Sequence, residues 1–266
     1  MNARAFLVRG LLAGLVAGLA AFFVAQIVGE PHLERAIALE EVGAAASSES
    51  TDSHSHEEES AGHSHGEEEA FAVSRADQST WGLLTGSLAV GVALGGLVAL
   101  VAAGTLGRIG RLLPGQSTAL ISLIGFVSMA LVPFLKYPAN PPAVGSGDTI
   151  GDRTALYFGF LLVSIGAAAL TTYAACRLQM RMGTYGCVIA GAAAYLLIVI
   201  VAGQLFGGVN EVGDFPGDTL WFFRLSSLFT LATMWGVLGV VLTGLVTRLY
   251  DQERAVLERR QFAASL

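Results

Sequence analysis

The chain has 266 residues, of which 53% are hydrophobic and only 14% charged, with a mean hydropathy of +0.62. A water-soluble domain carries about 25% charged residues, and here charge is missing from whole stretches, which excludes an ordinary soluble globule. The formal net charge of −6 gives no basic surface, and no nucleic-acid partner is expected.

A helical crossing of a bilayer needs roughly 20 mostly apolar residues, with a range of about 17–25. Six stretches meet that length: 6–28, 81–106, 117–135, 155–176, 186–207 and 220–247. Their apolar residues fall all round the helix, whereas a water-facing helix keeps a polar side. The expected fold is therefore all-α, a polytopic transmembrane helical bundle of about six spans. In chain order it divides into a first span (1–28), an outer loop (29–80), a five-span bundle (81–250) and a cytoplasmic tail (251–266).

In the first span, Arg4 and Arg9 precede an apolar run that continues through Phe22, Phe23 and Val28. Signal h-regions are shorter, about 7–15 residues, and end at a small-residue cleavage site. A cleaved signal peptide is the alternative reading; it leaves five spans and the same outer face. Gly10, Gly14 and Gly18 line one side of this span, and Gly82/Gly86, Gly91/Gly95 and Gly203/Gly207 repeat the spacing. Ridges of small residues let helix backbones approach closely in lipid.

The first outer loop is exceptional. Between 43 and 70 it is nearly all Ala, Ser, Glu, His and Gly. Such a composition buries too little apolar area to offset its ordering entropy, so disorder is expected there. It holds two His-x-His pairs, His54/His56 and His63/His65, beside Glu57–Glu59 and Glu67–Glu69. Neutral imidazole is the commonest nitrogen ligand for transition-metal ions, and carboxylates can fill the remaining positions. These four histidines are the candidate metal ligands. The same donors suit cobalt, nickel and zinc alike, and binding should fade as pH falls through the imidazole range near 6.5. The alternative is a solvated acidic spacer. No firm cofactor is expected.

The second outer loop lies within 133–154 and carries four prolines between Pro133 and Pro142, which impose a stiff, extended turn. Lys136 is the chain's single lysine. With Asn140, and with Glu211 and Asp214 beyond the fifth span, it is a pathway candidate at the outer end of the bundle; a rigid helix stop is the competing reading. Each outer loop also ends on Asp or Thr just before an apolar run (Asp77, Asp148–Thr149 and Asp152–Thr154, Asp218–Thr219), which suggests helix N-caps or a repeated hairpin. Cys176 and Cys187 flank the turn between the fourth and fifth spans, where thiols stay reduced; small packing residues or a metal-handing pair are both open readings.

Charge orients the bundle. With the N-terminus inside, ten of fifteen basic residues fall on cytoplasmic segments and eighteen of twenty-one acidic residues on the other face. The positive-inside bias then gives N-in/C-in, in a bacterial inner membrane. No Walker-type phosphate loop, intramembrane His, or Asp or Glu within a span is present, and the membrane interior is expected to offer no charged pathway lining. No nucleophile–base set marks an enzyme.

The stretch Arg9-Gly-Leu-Leu-Ala-Gly-Leu-Val-Ala-Gly18, Gly29-Glu-Pro, Glu34-Arg-Ala-Ile-Ala-Leu-Glu40, the His-rich loop and Lys136-Tyr-Pro-Ala-Asn-Pro-Pro-Ala-Val-Gly145 together resemble the CbtA family. That resemblance implies a cobalt-transporter subunit linked to cobalamin supply, acting with a small single-span partner subunit. The expected function is a membrane subunit of a divalent transition-metal uptake system whose His-rich loop captures the ion. The alternative is a non-transporting scaffold, accessory or sensor subunit.

Overall fold

The computed structural model describes residues 2–49, 74–110 and 112–265, and no strand occurs among them. The elements are α1 (Ala3–Val24), α2 (Glu30–Glu49), α3 (Arg75–Asp77), α4 (Leu83–Thr105), α5 (Pro114–Gly125), α6 (Val132–Lys136), α7 (Ile150–Leu205) and α8 (Gly217–Ala264). Three π-helical segments, Ala25–Gly29, Gln78–Gly82 and Phe126–Leu131, join α1 to α2, α3 to α4 and α5 to α6. Five continuous helical stretches are long and apolar enough to cross a membrane.

Two glycine ridges set the centre of the fold. α1 and α4 form the most extensive interface in the molecule. A Cβ placed on Gly10 or Gly14 would fall on the carbonyl oxygen of Gly95 or Gly91, and a Cβ on either of those would fall on the α1 backbone. Backbone meets backbone here, a contact that dispersion and Cα–H···O interactions stabilise in lipid. Ala13, Ala17, Ala21, Ala99 and Ala102 fill the same seam and are buried. α8 closes over it with Leu238, Leu242 and Val246, all fully buried, while α5 packs along α8. The opposite face of α1 exposes Leu12, Leu15, Leu19 and Phe23, as a lipid-facing surface does.

The expected fourth and fifth spans are joined without the loop expected between them. α7 is helical on both sides of Gly183, the one residue inside it with non-helical geometry (φ 69°, ψ 169°). That left-handed φ suits glycine, which has no Cβ to clash. The chain reverses there. Phe160 and Phe206 have ring centroids 5.7 Å apart, whereas a straight helix would separate them by about 69 Å. The resulting hairpin meets the rest of the bundle through α6, the Phe126–Leu131 segment and the Gly147–Thr149 turn.

One buried polar joint fastens it. The Ser164 hydroxyl donates to the Ser128 carbonyl at 2.8 Å and lies 2.8 Å from the Tyr195 hydroxyl. Ser164 has one proton to give, so Tyr195 donates to Ser164. Ser128 sits in a π-helical turn, a place where helical hydrogen bonding is rearranged.

Beyond the first span the helix does not stop at Val28. It passes through the π segment and continues to Glu49, so 29–49 of the expected outer loop is helical. The histidines His54, His56, His63 and His65 lie outside the described residues. The caps also differ from expectation: Ser74 and Ser146, rather than Asp77 and Asp148, accept the first free N–H groups of their helical turns.

The glycine seam predicts a sharp contrast. Gly14→Ala should lower the melting temperature of detergent-solubilised protein by several degrees, in line with an overpacking cost of about 1–3 kcal/mol. Gly86→Ala meets nothing within 4 Å and should be neutral or slightly stabilising. Equal stabilities for the two variants would show that this seam does not hold the bundle.

Candidate functional site at the loop end of the bundle

At the end opposite Gly183 the two proline- and glycine-rich loops interlock. Glu211 in the third loop is the knot: its Oε2 accepts from the Ser146 backbone N–H at 3.2 Å and the Thr149 hydroxyl at 2.9 Å, and Arg153 Nε lies 3.6 Å away. Gly145 adopts φ 99° at this point, and a Cβ there would lie 2.9 Å from Glu211 Oε2. Ala143 also has positive φ, 65°, so the turn is held in a strained shape by its bonding. A second tie runs from the Tyr137 hydroxyl to the Gly207 carbonyl at 2.7 Å. Burial raises the Tyr137 pKa, so the phenol stays a protonated donor across the physiological range.

The four sequence candidates are brought to one end of the molecule with different roles. Lys136 ends α6 with its Nζ 5.5 Å from the centre of the Tyr137 ring. Asn140 and Glu211 have acceptor oxygens already engaged. Asp214 has no hydrogen-bond or ion-pair partner among the described residues, and it lines an open depression of about 630 Å³ with Ala143, Ser146, Asn210, Glu211 and Phe215. Of the two carboxylates that line the depression, Glu211 and Asp214, it is the one without a partner among the described residues.

Comparison with known families bears directly on this chain. The family model described as "Probable cobalt transporter subunit (CbtA)" matches residues 3–247. The chain belongs to the CbtA family. No curated protein and no solved structure matches it. The match takes in every long apolar helix and both interlocked loops of this CbtA member, and identifies a multi-pass membrane protein of a transporter-subunit family.

One residue corrects the expectation that the membrane interior offers no charge. Arg224 lies inside the apolar stretch 220–247, on α8. Its Nη2 donates to Asn140 Oδ1 at 2.8 Å and its Nε to the Ala139 carbonyl at 3.3 Å. Both partners are neutral, so the positive charge is solvated by dipoles and not cancelled. A single arginine four residues into an otherwise apolar run was readable as an intramembrane ionisable group, which is a functional-site signal by default. What no spacing shows is that it reaches 84 residues back to the proline loop.

At the start of α2, Glu30 pairs with Arg75 of α3, and His32 stacks on Phe222 with centroids 5.6 Å apart. Glu30 is buried, and the pair brings the start of α2 to α3. Among the described residues no group of three His, Cys, Asp or Glu stands close enough to hold a metal ion.

Arg224→Ala removes a charged donor pair, which is worth about 1.5–3 kcal/mol per bond. Hydrogen exchange in residues 137–149 should accelerate markedly while α1 and α4 stay protected. Arg224→Lys should fail to restore protection, because a single ammonium cannot reproduce the two-pronged guanidinium geometry. Unchanged exchange in the alanine variant would show that the clamp does not hold the loop.

Proposed function

We propose that this chain is the membrane subunit of a divalent transition-metal uptake system, with cobalt as the transported ion. The family match over residues 3–247 carries the reading. In it, His54, His56, His63 and His65 capture the ion, the loop end holding Lys136, Asn140, Glu211 and Asp214 forms the mouth of the pathway, and a small single-span partner completes the assembly. Asp214, the carboxylate left free, is the first oxygen ligand within the mouth. Asn140 and Glu211 shape the mouth through Arg224 and Arg153. A non-transporting accessory or sensor subunit is the second reading, and the uncompensated charge of Arg224 favours it, since a fixed cation opposes cation passage.

The bundle is read as crossing a bacterial inner membrane six times with both termini inside. The reversal at Gly183 supports two crossings within α7, and the positive-inside bias of ten of the fifteen basic residues supports the orientation. Reporter fusions after Arg108, Arg181 and Arg260 should be active only in the cytoplasm, and those after Ser74 and Asp148 only outside. An outside-active fusion after Arg181 would remove two of the six crossings.

Uptake of radioactive cobalt, at matched membrane abundance, tests the function. Replacing the four histidines by alanine should weaken uptake mainly at low external metal. Asp214→Asn should lower it several-fold at every concentration. If cells expressing the chain with its genomic neighbours take up no more cobalt than empty cells, the accessory reading replaces transport.

A further inference from the structure

Sulfur is gathered at the closed end of the α7 hairpin. Of the chain's five methionines and two cysteines, Cys176, Met180, Met182 and Cys187 fall within one short stretch spanning Gly183. Met180 is 96% exposed at the tip, unusual for so apolar a side chain.

Printed contacts fix the register of the two arms around the thiols. At the tip, Gln179 Nε2 donates to Thr184 Oγ1 at 3.0 Å. Further in, a Cβ placed on Gly191 would lie 3.4 Å from the Ala175 Cβ. Cys176 is three residues inward of Gln179 and Cys187 three residues inward of Thr184, one turn along the same faces. Cys187 is also four residues from Gly191 on the buried stripe that runs on through Tyr195 and Val199. The first contact sets Cys187 opposite Cys176 and the second sets it opposite Gln179, so the two cysteines lie within about one helical turn of each other along the hairpin. Both are free thiols; Cys187 is 4% exposed and Cys176 is half-buried. The loop between α4 and α5 lies against this tip, where a Cβ on Gly110 would sit 3.1 Å from Gln179 Oε1.

We propose that Cys176 and Cys187 together bind one transition-metal ion as a dithiolate, at the end of the α7 hairpin opposite the loops that hold Glu211 and Asp214. Thiolates suit borderline and soft ions, and solvent completes the coordination sphere. Binding takes the proton from each thiol as a metal–sulfur bond forms, so two protons are released per ion and no electron moves. The site deepens the uptake reading and rests on it for its role: an ion captured by imidazole and carboxylate outside is received inside by sulfur.

The test uses the purified, reduced full chain in lipid nanodiscs without oxygen, titrated with cobalt(II). Wild type and the four-histidine alanine variant should both develop sulfur-to-cobalt charge-transfer absorption in the near ultraviolet. Cys176→Ser and Cys187→Ser should each retain about half the intensity, since each loses one of two thiolates, and the double variant should show none. Mild oxidation of metal-free protein should link Cys176 to Cys187 with a mass loss of two hydrogens, and cobalt should slow that linkage. Absence of the band in wild type, a full band in either single variant, or failure of the thiols to link overturns the site. These readouts need no transport. Lost cobalt uptake in wild-type cells would overturn the uptake reading and leave the thiol site standing, whereas normal uptake by the double serine variant would overturn its role as the receiving station.

Discussion

Everything in this bundle is arranged around the contact of two bare backbones. In lipid, no hydrophobic gain separates a helix–helix surface from a helix–lipid surface, so close approach must supply the stabilisation through dispersion and weak C–H···O contacts. Gly10, Gly14, Gly91 and Gly95 remove the side chains that would hold α1 and α4 apart. Once that seam is formed, the flanking alanines present a smooth surface, and α8 covers it with Leu238, Leu242 and Val246. The larger side chains on the far side of α1 remain free to face lipid tails.

The periphery is held by a different principle. The α7 hairpin is fastened by the Ser128–Ser164–Tyr195 hydrogen bonds, the Tyr137–Phe160–Phe206 ring contacts and the Glu211 knot. Polar bonds in a dry environment are costly to leave unmade, because the freed groups have no water to turn to. A few such bonds therefore position a hairpin that shares little surface with the seam. Irregular backbone can exist at membrane depth only where protein or a water-filled cavity surrounds it, and the π segment at Phe126–Leu131 is packed against α6, α7 and α8.

The loop end combines a free carboxylate with a fixed guanidinium. Under the uptake proposal, Asp214 is the group that attracts a cation to the depression, and Arg224, bonded to Asn140 and Ala139, is the one that repels it from the interior. On that proposal the pairing separates capture from passage, since a fixed cation opposes the advance of a cation held at the rim. Arg224 also makes the proline loop part of the membrane domain, since its bonding is satisfied only while that loop is seated.

The sequence by itself determined the helical class, the apolar stretches and the Gly10/Gly14/Gly18 and Gly91/Gly95 ridges, because each is a matter of composition and local spacing, and its longer motifs carried the resemblance to the CbtA family. Length of apolar run decides whether a helix can cross lipid, and that is local. The tertiary structure decided the partners. It chose α4 as the mate of α1, turned the expected loop between two spans into a break at the single residue Gly183, and carried helix through 29–49, where sequence suggested an outer loop. It assigned Asn140 to Arg224 and Glu211 to Ser146, Thr149 and Arg153, leaving Asp214 free among four candidates that looked alike in the sequence. It also folded the α7 arms together at Gly183, bringing Cys176 and Cys187 to the same end of the hairpin. Partners 31 to 85 residues apart meet only after the helices have packed, and no periodicity along one chain encodes which faces will meet.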